Sequence, residues 1–317
     1  RYGDTHGLHL DNRRGIFPYR DWVVLAMSRN LPLDEFITWQ LAGDLLPDAT
    51  LEQRVATGFV RMNPSTAEGG AIPAEFQAKN NFDRVETLGT VFLGMSLTCA
   101  RCHTHKYDPI PQTEYYRLLA FFNSTAENSM DGNKYIYGPV AKAPANLAGW
   151  KTWRGVAAAR EKLLSEAARQ FTKLDGIAPA DKKKWKSATR KQRLASVADP
   201  KGFFAALPIH KQAVSVSQRI AVAEKAFTTT LVARDLATPR KTRLLTRGEY
   251  NLPTGEPLQP GIVTVMSVFP RTAQRNRLGL ARWLTAREHP LTARVLINRI
   301  WQRTFGEGLV RTPEDFG

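Results

Sequence analysis

The chain of 317 residues has only two cysteines, and they stand three apart with a histidine directly after: Cys99-Ala100-Arg101-Cys102-His103. Two thiols at that spacing lie on one turn, where each can add to one vinyl group of the same porphyrin. The imidazole that follows then lies under the iron. Covalent haem c is the first chemistry this pattern predicts, with Cys99 and Cys102 as thioether anchors and His103 as axial ligand. Three other readings stand beside it. A Cys-x-x-Cys pair can be a redox disulfide, although the flanking sequence lacks a thioredoxin-like βαβ pattern. It can be half of a non-haem transition-metal site; without a second cysteine pair, His103, His105 and Asp108 would have to complete it. It can also be a pair of buried thiols beside a hydrogen-bonded histidine that only supports the fold.

A second polar cluster opens the chain: Asp4, His6, His9 and Asp11, with Gly3 and Gly7 between them. Folded back over the Cys99 turn, His6 or His9 would supply a distal ligand or an acid/base. The alternative is a polar loop capped by its own aspartates. Glu68-Gly69-Gly70 places a carboxylate on a permissive loop, and Asp83-Arg84 reads as an ion pair. Met62 and Met95 are further distal candidates. A metal-dependent enzyme without haem would draw its ligands from His6, His9, Glu68, His103, His105 and Asp108.

The elements that must position these residues are mostly helical. Asp21 and Asp34 are candidate N-caps for helices carrying Trp22 and Ala26, then Phe36, Ile37, Gln40 and Leu41. Thr50-Leu51-Glu52-Gln53 fits a capping box. From Pro73 a long helix places Val85, Leu88, Phe92 and Met95 on one stripe and delivers the chain to Cys99. Thr113 is expected to cap a helix with Tyr115, Tyr116, Leu118, Leu119, Phe121 and Phe122. Residues 129–150 are rich in Gly, Pro and Asn and read as a connection. Residues 153–198 are rich in Ala, Lys and Arg, with Leu163, Leu164, Phe171 and Leu174 at helical spacing, and predict an antiparallel helical hairpin. Residues 212–227 predict another helix. Thr228–Ala233 and Thr242–Thr246 are expected to form a small strand pair around Pro239. The end is helical again.

The net charge of +16 is unevenly spread. Residues 1–150 hold 14 Lys and Arg against 16 Asp and Glu, and residues 151–250 hold 22 against 8. Nearly all the excess lies in one helical stretch away from the cysteines, without zinc-finger or aromatic-basic RNA signatures. This predicts a solvated helical arm rather than a nucleic-acid-binding face, with an anionic polymer or acidic protein as its candidate partner. No run approaches the roughly 18 apolar residues of a membrane span. The chain opens on Arg1-Tyr2-Gly3-Asp4 and is read as an internal piece of a longer protein, so its compartment is not taken from a targeting segment.

Several strings resemble one family. They are QLAGDLLP (residues 40–47), ATGF (56–59), EGGAIP (68–73) and CARCHTHKYDPI (99–110). Together they are similar to the second planctomycete cytochrome c-type domain, a domain of unknown function. TRGEY (246–250), residues 276–284 and residues 290–317 resemble its C-terminal partner domain, also of unknown function. The resemblance implies an exported, periplasmic protein, often fused to or working with a further cytochrome domain as redox partner. It carries the cysteine motif onto Cys99, Cys102 and His103, with His105 and Asp108 matching as well. Thr104 departs from the acidic residue often found there. The expected fold is mainly α: a helical cytochrome c-type-like domain over 1–128, a connection and basic helical insert over 129–227, and a truncated C-terminal domain with a small β element over 228–317. The function expected is haem c electron transfer or haem-dependent redox chemistry. The alternatives are a non-haem metal enzyme and a structural or interaction module.

Overall fold

A computed structural model of the chain describes residues 2–8, 11–66, 68–130, 138–174 and 177–316. The fold is mainly α, with a small β element. It divides into two compact units, one of residues 1–141 and 230–317 and one of residues 142–229. The segments before and after the basic stretch therefore lie in one compact unit.

The first unit begins with α1 (Phe17–Ser28) and α2 (Leu33–Ala42). Pro18 in the first turn of α1 starts that helix, since the missing N–H is an orphan there anyway. Asp21 is accordingly not its cap; it is buried within the helix and pairs with Arg20 at 2.8 Å. Trp22 stacks on Phe36 with ring centroids 5.3 Å apart, which joins α1 to α2. α3 (Leu51–Ala56) opens with the expected capping box: the Gln53 amide donates to Thr50 Oγ1, and the Thr50 amide donates to Gln53 Oε1. α4 spans Pro73–Leu88 and continues as a π-helical turn over Gly89–Leu93. Gly94, with φ +61°, ends it in a left-handed conformation. Val85, Leu88, Phe92 and Met95 are all buried, so the stripe extends past the point where the helix itself stops. α5 (Gln112–Ala120) buries Tyr115, Tyr116, Leu118 and Leu119.

The strands form two pairs. β1 (Val140–Pro144) pairs with β2 (Phe227–Leu231), and β3 (Thr242–Leu245) pairs antiparallel with β4 (Pro253–Leu258). The expected strands 228–233 and 242–246 thus exist, but each takes another partner. The segment between them is held elsewhere: the Leu236 amide donates to Ser124 O, and Arg240 donates to Asn123 O and Thr125 O. α10 (Arg277–Leu284) and α11 (Thr292–Phe305) complete the unit. Arg277, fully buried, forms a bidentate pair with Asp44 at 2.8 and 2.7 Å and reaches Asp235 at 2.9 Å. Those bonds tie the end of the chain to its beginning.

The second unit holds α6 (Leu147–Phe171), α7 (Pro179–Ser187), α8 (Arg190–Val197) and α9 (Pro208–Glu224). Instead of a solvated hairpin, these helices close around their own core. Leu163, Leu164, Phe171, Leu194, Val197, Phe204, Ile209 and Val216 are buried together. Phe171 stacks on Trp185 at 4.8 Å and on Phe204 at 6.0 Å. Burying a large apolar side chain contributes roughly 1.5–3 kcal/mol, so such a cluster orders the helices despite their charge.

Candidate functional site

The chain reaches the cysteines through the π-helical turn that follows α4. Leu97 and Ala100 are buried and anchor a 3-10 turn over Thr98–Arg101. The Cys102 amide donates to Cys99 O at 3.3 Å, and the His103 amide donates to the same oxygen at 3.4 Å. Those two bonds wind both cysteines and the histidine onto one turn. Both thiols are free; Cys99 is exposed and Cys102 is half-buried.

The Arg101 backbone carbonyl fixes the turn from below. It accepts from Tyr116 Oη at 2.9 Å and from Gln112 Nε2 at 3.1 Å. Gln112 Nε2 also approaches Leu245 O at 3.4 Å, which connects α5 to the end of β3. The Arg101 guanidinium lies over the Phe82 ring at 5.0 Å and 3.6 Å from Glu86. Burial pushes the Glu86 carboxyl above its ordinary range, against the pull of Arg101. Burial also raises the Tyr116 hydroxyl, so it stays a neutral donor to the turn. The loop after β3 closes one side. Gly248 has φ +75°, and a Cβ there would stand 3.1 Å from Cys102 Sγ and 3.2 Å from Arg101 Cγ. A side chain there would make Cys102 and Arg101 give way by a few tenths of an ångström, and the left-handed φ itself favours glycine.

His103 is exposed, and its Nδ1 lies 2.7 Å from Thr104 O. A carbonyl at Nδ1 favours the tautomer protonated there, which leaves the Nε2 lone pair available to a ligand or metal. His105 is arranged differently. Its Nδ1 accepts from the Asp108 amide at 2.9 Å, while its own amide donates to Ile110 O at 3.0 Å. Asp108 Oδ2 stands 3.2 Å from the same nitrogen. His105 and Asp108 are thus brought together, and their bonds close the turn His105–Ile110.

The other predicted ligands lie in another part of the unit. His6 is fully buried. Its amide donates to Asn12 O, and its carbonyl accepts from the Ser65 amide and from Arg14. Asp11 accepts from the Gly7 amide at 2.8 Å, and hydrogen bonds from Thr5 and that amide hold its carboxyl below the ordinary range. The opening segment is thus a loop closed by its own aspartate. His9 lies outside the described residues. Glu68, on the Gly-rich loop, lines a cavity of about 440 Å³ with Leu8, Pro64, Phe76, Asn80 and Asp83. Among the described residues no three His, Cys, Asp or Glu side chains converge as a metal site. The imagined gathering of His6 and Glu68 around His103, His105 and Asp108 is not seen among them.

A porphyrin anchored here would need two reachable thiols, an axial nitrogen and apolar cover. The first two are met by Cys99, Cys102 and His103. For cover the turn itself offers Tyr107, 83% exposed beside Lys106, with Leu97, Ala100 and Ile110 buried beneath it. The donor set fits haem c; the turn supplies little apolar wall of its own.

Sequence reading missed the polar core behind the turn. Arg84 pairs with Glu127 at 2.6 Å, not with its neighbour Asp83, and Arg61 reaches Glu127 at 3.0 Å. Arg84 also donates to Asn63 and Thr125. Burial works to raise the Glu127 pKa, but the two guanidiniums outweigh it and hold the carboxyl below its ordinary range. The one signal was a charge beside apolar positions that bury it, as with Asp44 inside Leu41–Leu46.

Two family models match the chain. Residues 1–127 match PSCyt2, described as a protein of unknown function (DUF1549), and residues 276–317 match PSD1, a protein of unknown function (DUF1553). The first match contains the whole Cys99–Ile110 turn. No similarity to a curated protein or to a solved structure was found.

Proposed function

We propose that this chain, whose residues 1–127 match the PSCyt2 family model and residues 276–317 the PSD1 model, is an exported haem c protein. Cys99 and Cys102 would hold the haem through thioethers, and His103 would ligate its iron. The observation that carries this reading is the turn itself: two free thiols and an imidazole wound on one carbonyl, with Nδ1 of His103 already engaged at Thr104 O. Bound haem supplies a one-electron iron couple. The chain's own residues hold it. The carbonyl contact orients the imidazole, Arg101 and Gln112 keep the turn in place, and the Gly248 loop leaves room for Cys102. The near-apolar bed of Leu97, Ala100 and Ile110 keeps water from the underside of the turn. Electron transfer or haem-dependent redox chemistry follows, with a further cytochrome as its partner. Among the described residues no helix is long and apolar enough to cross a membrane.

The His105–Asp108 contact favours a second reading, in which this part of the cluster supports the fold. Both readings are separated by one experiment. Protein made in a host with cytochrome c maturation is denatured, run on a gel and stained for haem peroxidase activity. Staining of the wild type, lost in the C99A/C102A double variant, supports haem c. An unstained band from well-folded, matured protein removes it and leaves the structural reading.

A further inference from the structure

The second unit carries chemistry that an electron-transfer site does not need. Between α7 and α8 lies a cavity of about 320 Å³, the size of a site for a small organic molecule. Its walls are aromatic. Phe171 is buried at the floor, and Trp185 is stacked on it at 4.8 Å. Phe203 meets Phe171 edge-on at 6.0 Å and keeps 48% of its surface exposed. An aromatic ring left so open beside two packed ones offers a flat apolar partner an edge and a face.

The remaining lining is polar, with two cations against one carboxylate. Lys184 and Arg193 line the cavity, along with Ser187, Gln192 and Ser196; Asp181 is the one carboxylate among the lining residues. Arg193 donates from Nε to Trp185 O at 3.1 Å and from Nη2 to Lys186 O at 2.9 Å, so the cation is held rigidly at the end of α7. Lys182, Lys183 and Lys186 lie on the same helix. The unit as a whole, residues 142–229, has 18 Lys and Arg against 6 Asp and Glu. Such a field raises the local concentration of anions at a cleft.

We propose that this cavity is a binding site for a small flat organic anion, an aromatic carboxylate. Its ring lies against Trp185 and Phe203 above Phe171, and its carboxylate meets Lys184 at the rim. A ring alone would be served by the walls, and a bare anion by the surface lysines. The combination selects a molecule that has both.

The test titrates the full chain with 2-naphthoate and, separately, with its neutral counterpart 2-naphthalenemethanol, following the indole signals by NMR. The Trp185 resonance is assigned with W185F. The expected result is a shift of the Trp185 signal, with the acid binding at least about tenfold tighter than the alcohol. K184Q weakens the acid severalfold and leaves the alcohol unchanged, while F203A weakens both; each side chain is exposed enough that folding, checked by circular dichroism, is retained. Equal affinity for acid and alcohol overturns the proposal. So does insensitivity to both variants, or no shift at millimolar ligand. A heparin fragment or a thymidine oligonucleotide that displaces 2-naphthoate at lower concentration also overturns it, by assigning the cavity to a polyanion.

Discussion

At the scale of single residues, the cysteine motif was legible because residues so close in sequence share a single turn. Cys99, Cys102 and His103 lie on one turn because two amides share the Cys99 carbonyl. What the sequence hid is how the neighbours act. Nothing in the order of residues marks Gly248 as the one that lies against Cys102, more than 140 positions away. This makes a prediction. A valine there would meet Cys102 Sγ and also strain a backbone held at φ +75°. In G248V the haem should be anchored through Cys99 alone, and its reduced pyridine haemochrome band should move to longer wavelength because one vinyl group stays unsaturated. An unchanged band would show that Cys102 is reached from another side.

His289 provides a pH test at the same scale. It is buried, its Nδ1 accepts from the Leu291 and Thr292 amides, and Trp283 lies edge-on at 4.5 Å. Burial pushes its pKa from 6.5 down to about 4. The folded state therefore prefers the neutral ring, and the unfolded state takes up the proton first. Stability is complete above pH 6.5 and is lost as pH falls from there towards 4, by about 2–3 kcal/mol. In H289N, whose side-chain oxygen can still accept from the amides, the urea midpoint should fall less between pH 7 and pH 4.5. Parallel curves for both proteins would contradict this.

At the scale of elements, helices followed the apolar spacing closely, since a buried stripe needs only local sequence. Thr50 capped as expected, and Tyr115, Tyr116, Leu118 and Leu119 were buried together. Strand partners were not legible. Residues 227–231 and 242–245 are strands, but pairing depends on which distant segment arrives beside them. The long helix after Pro73 was overread for a different reason. Gly89 and Gly94 let the stripe pass through a π-helical turn and a left-handed end without losing its burial. Buried charge was hardest to foresee, because Arg61, Arg84 and Glu127 come from separate elements. Glu127 pairs with two guanidiniums that are buried with it. Removing one partner of such a buried set costs about 3–5 kcal/mol. E127Q should lose that much in urea unfolding, whereas a similar change at exposed Glu68 should cost less than about 0.5 kcal/mol. A loss under 1 kcal/mol in E127Q would mean that the network is not closed.

At the scale of the whole molecule, the excess charge and the cysteine motif belong to different units. Most of the net +16 lies in residues 142–229, with 18 Lys and Arg against 6 Asp and Glu, and these residues have a core of their own. The unit boundaries fall inside β1 and β2, two strands that pair with each other. Replacing residues 145–226 by a short Asn-Gly turn should therefore give a folded protein with the same haem content per chain and a much lower net charge. Loss of haem uptake in that folded variant would make the second unit part of the site. That the flanking segments close into one unit was not legible, since Arg277 and Asp44 are far apart in sequence.

On the proposed function, Cys99 and Cys102 hold a haem covalently. The most direct test is the intact mass of the denatured protein after expression with the cytochrome c maturation machinery. The expected mass is that of the chain plus one haem, reduced to the chain mass alone in C99A/C102A and retained in H105A. A wild-type mass equal to that of the bare polypeptide, from folded and matured protein, would contradict it.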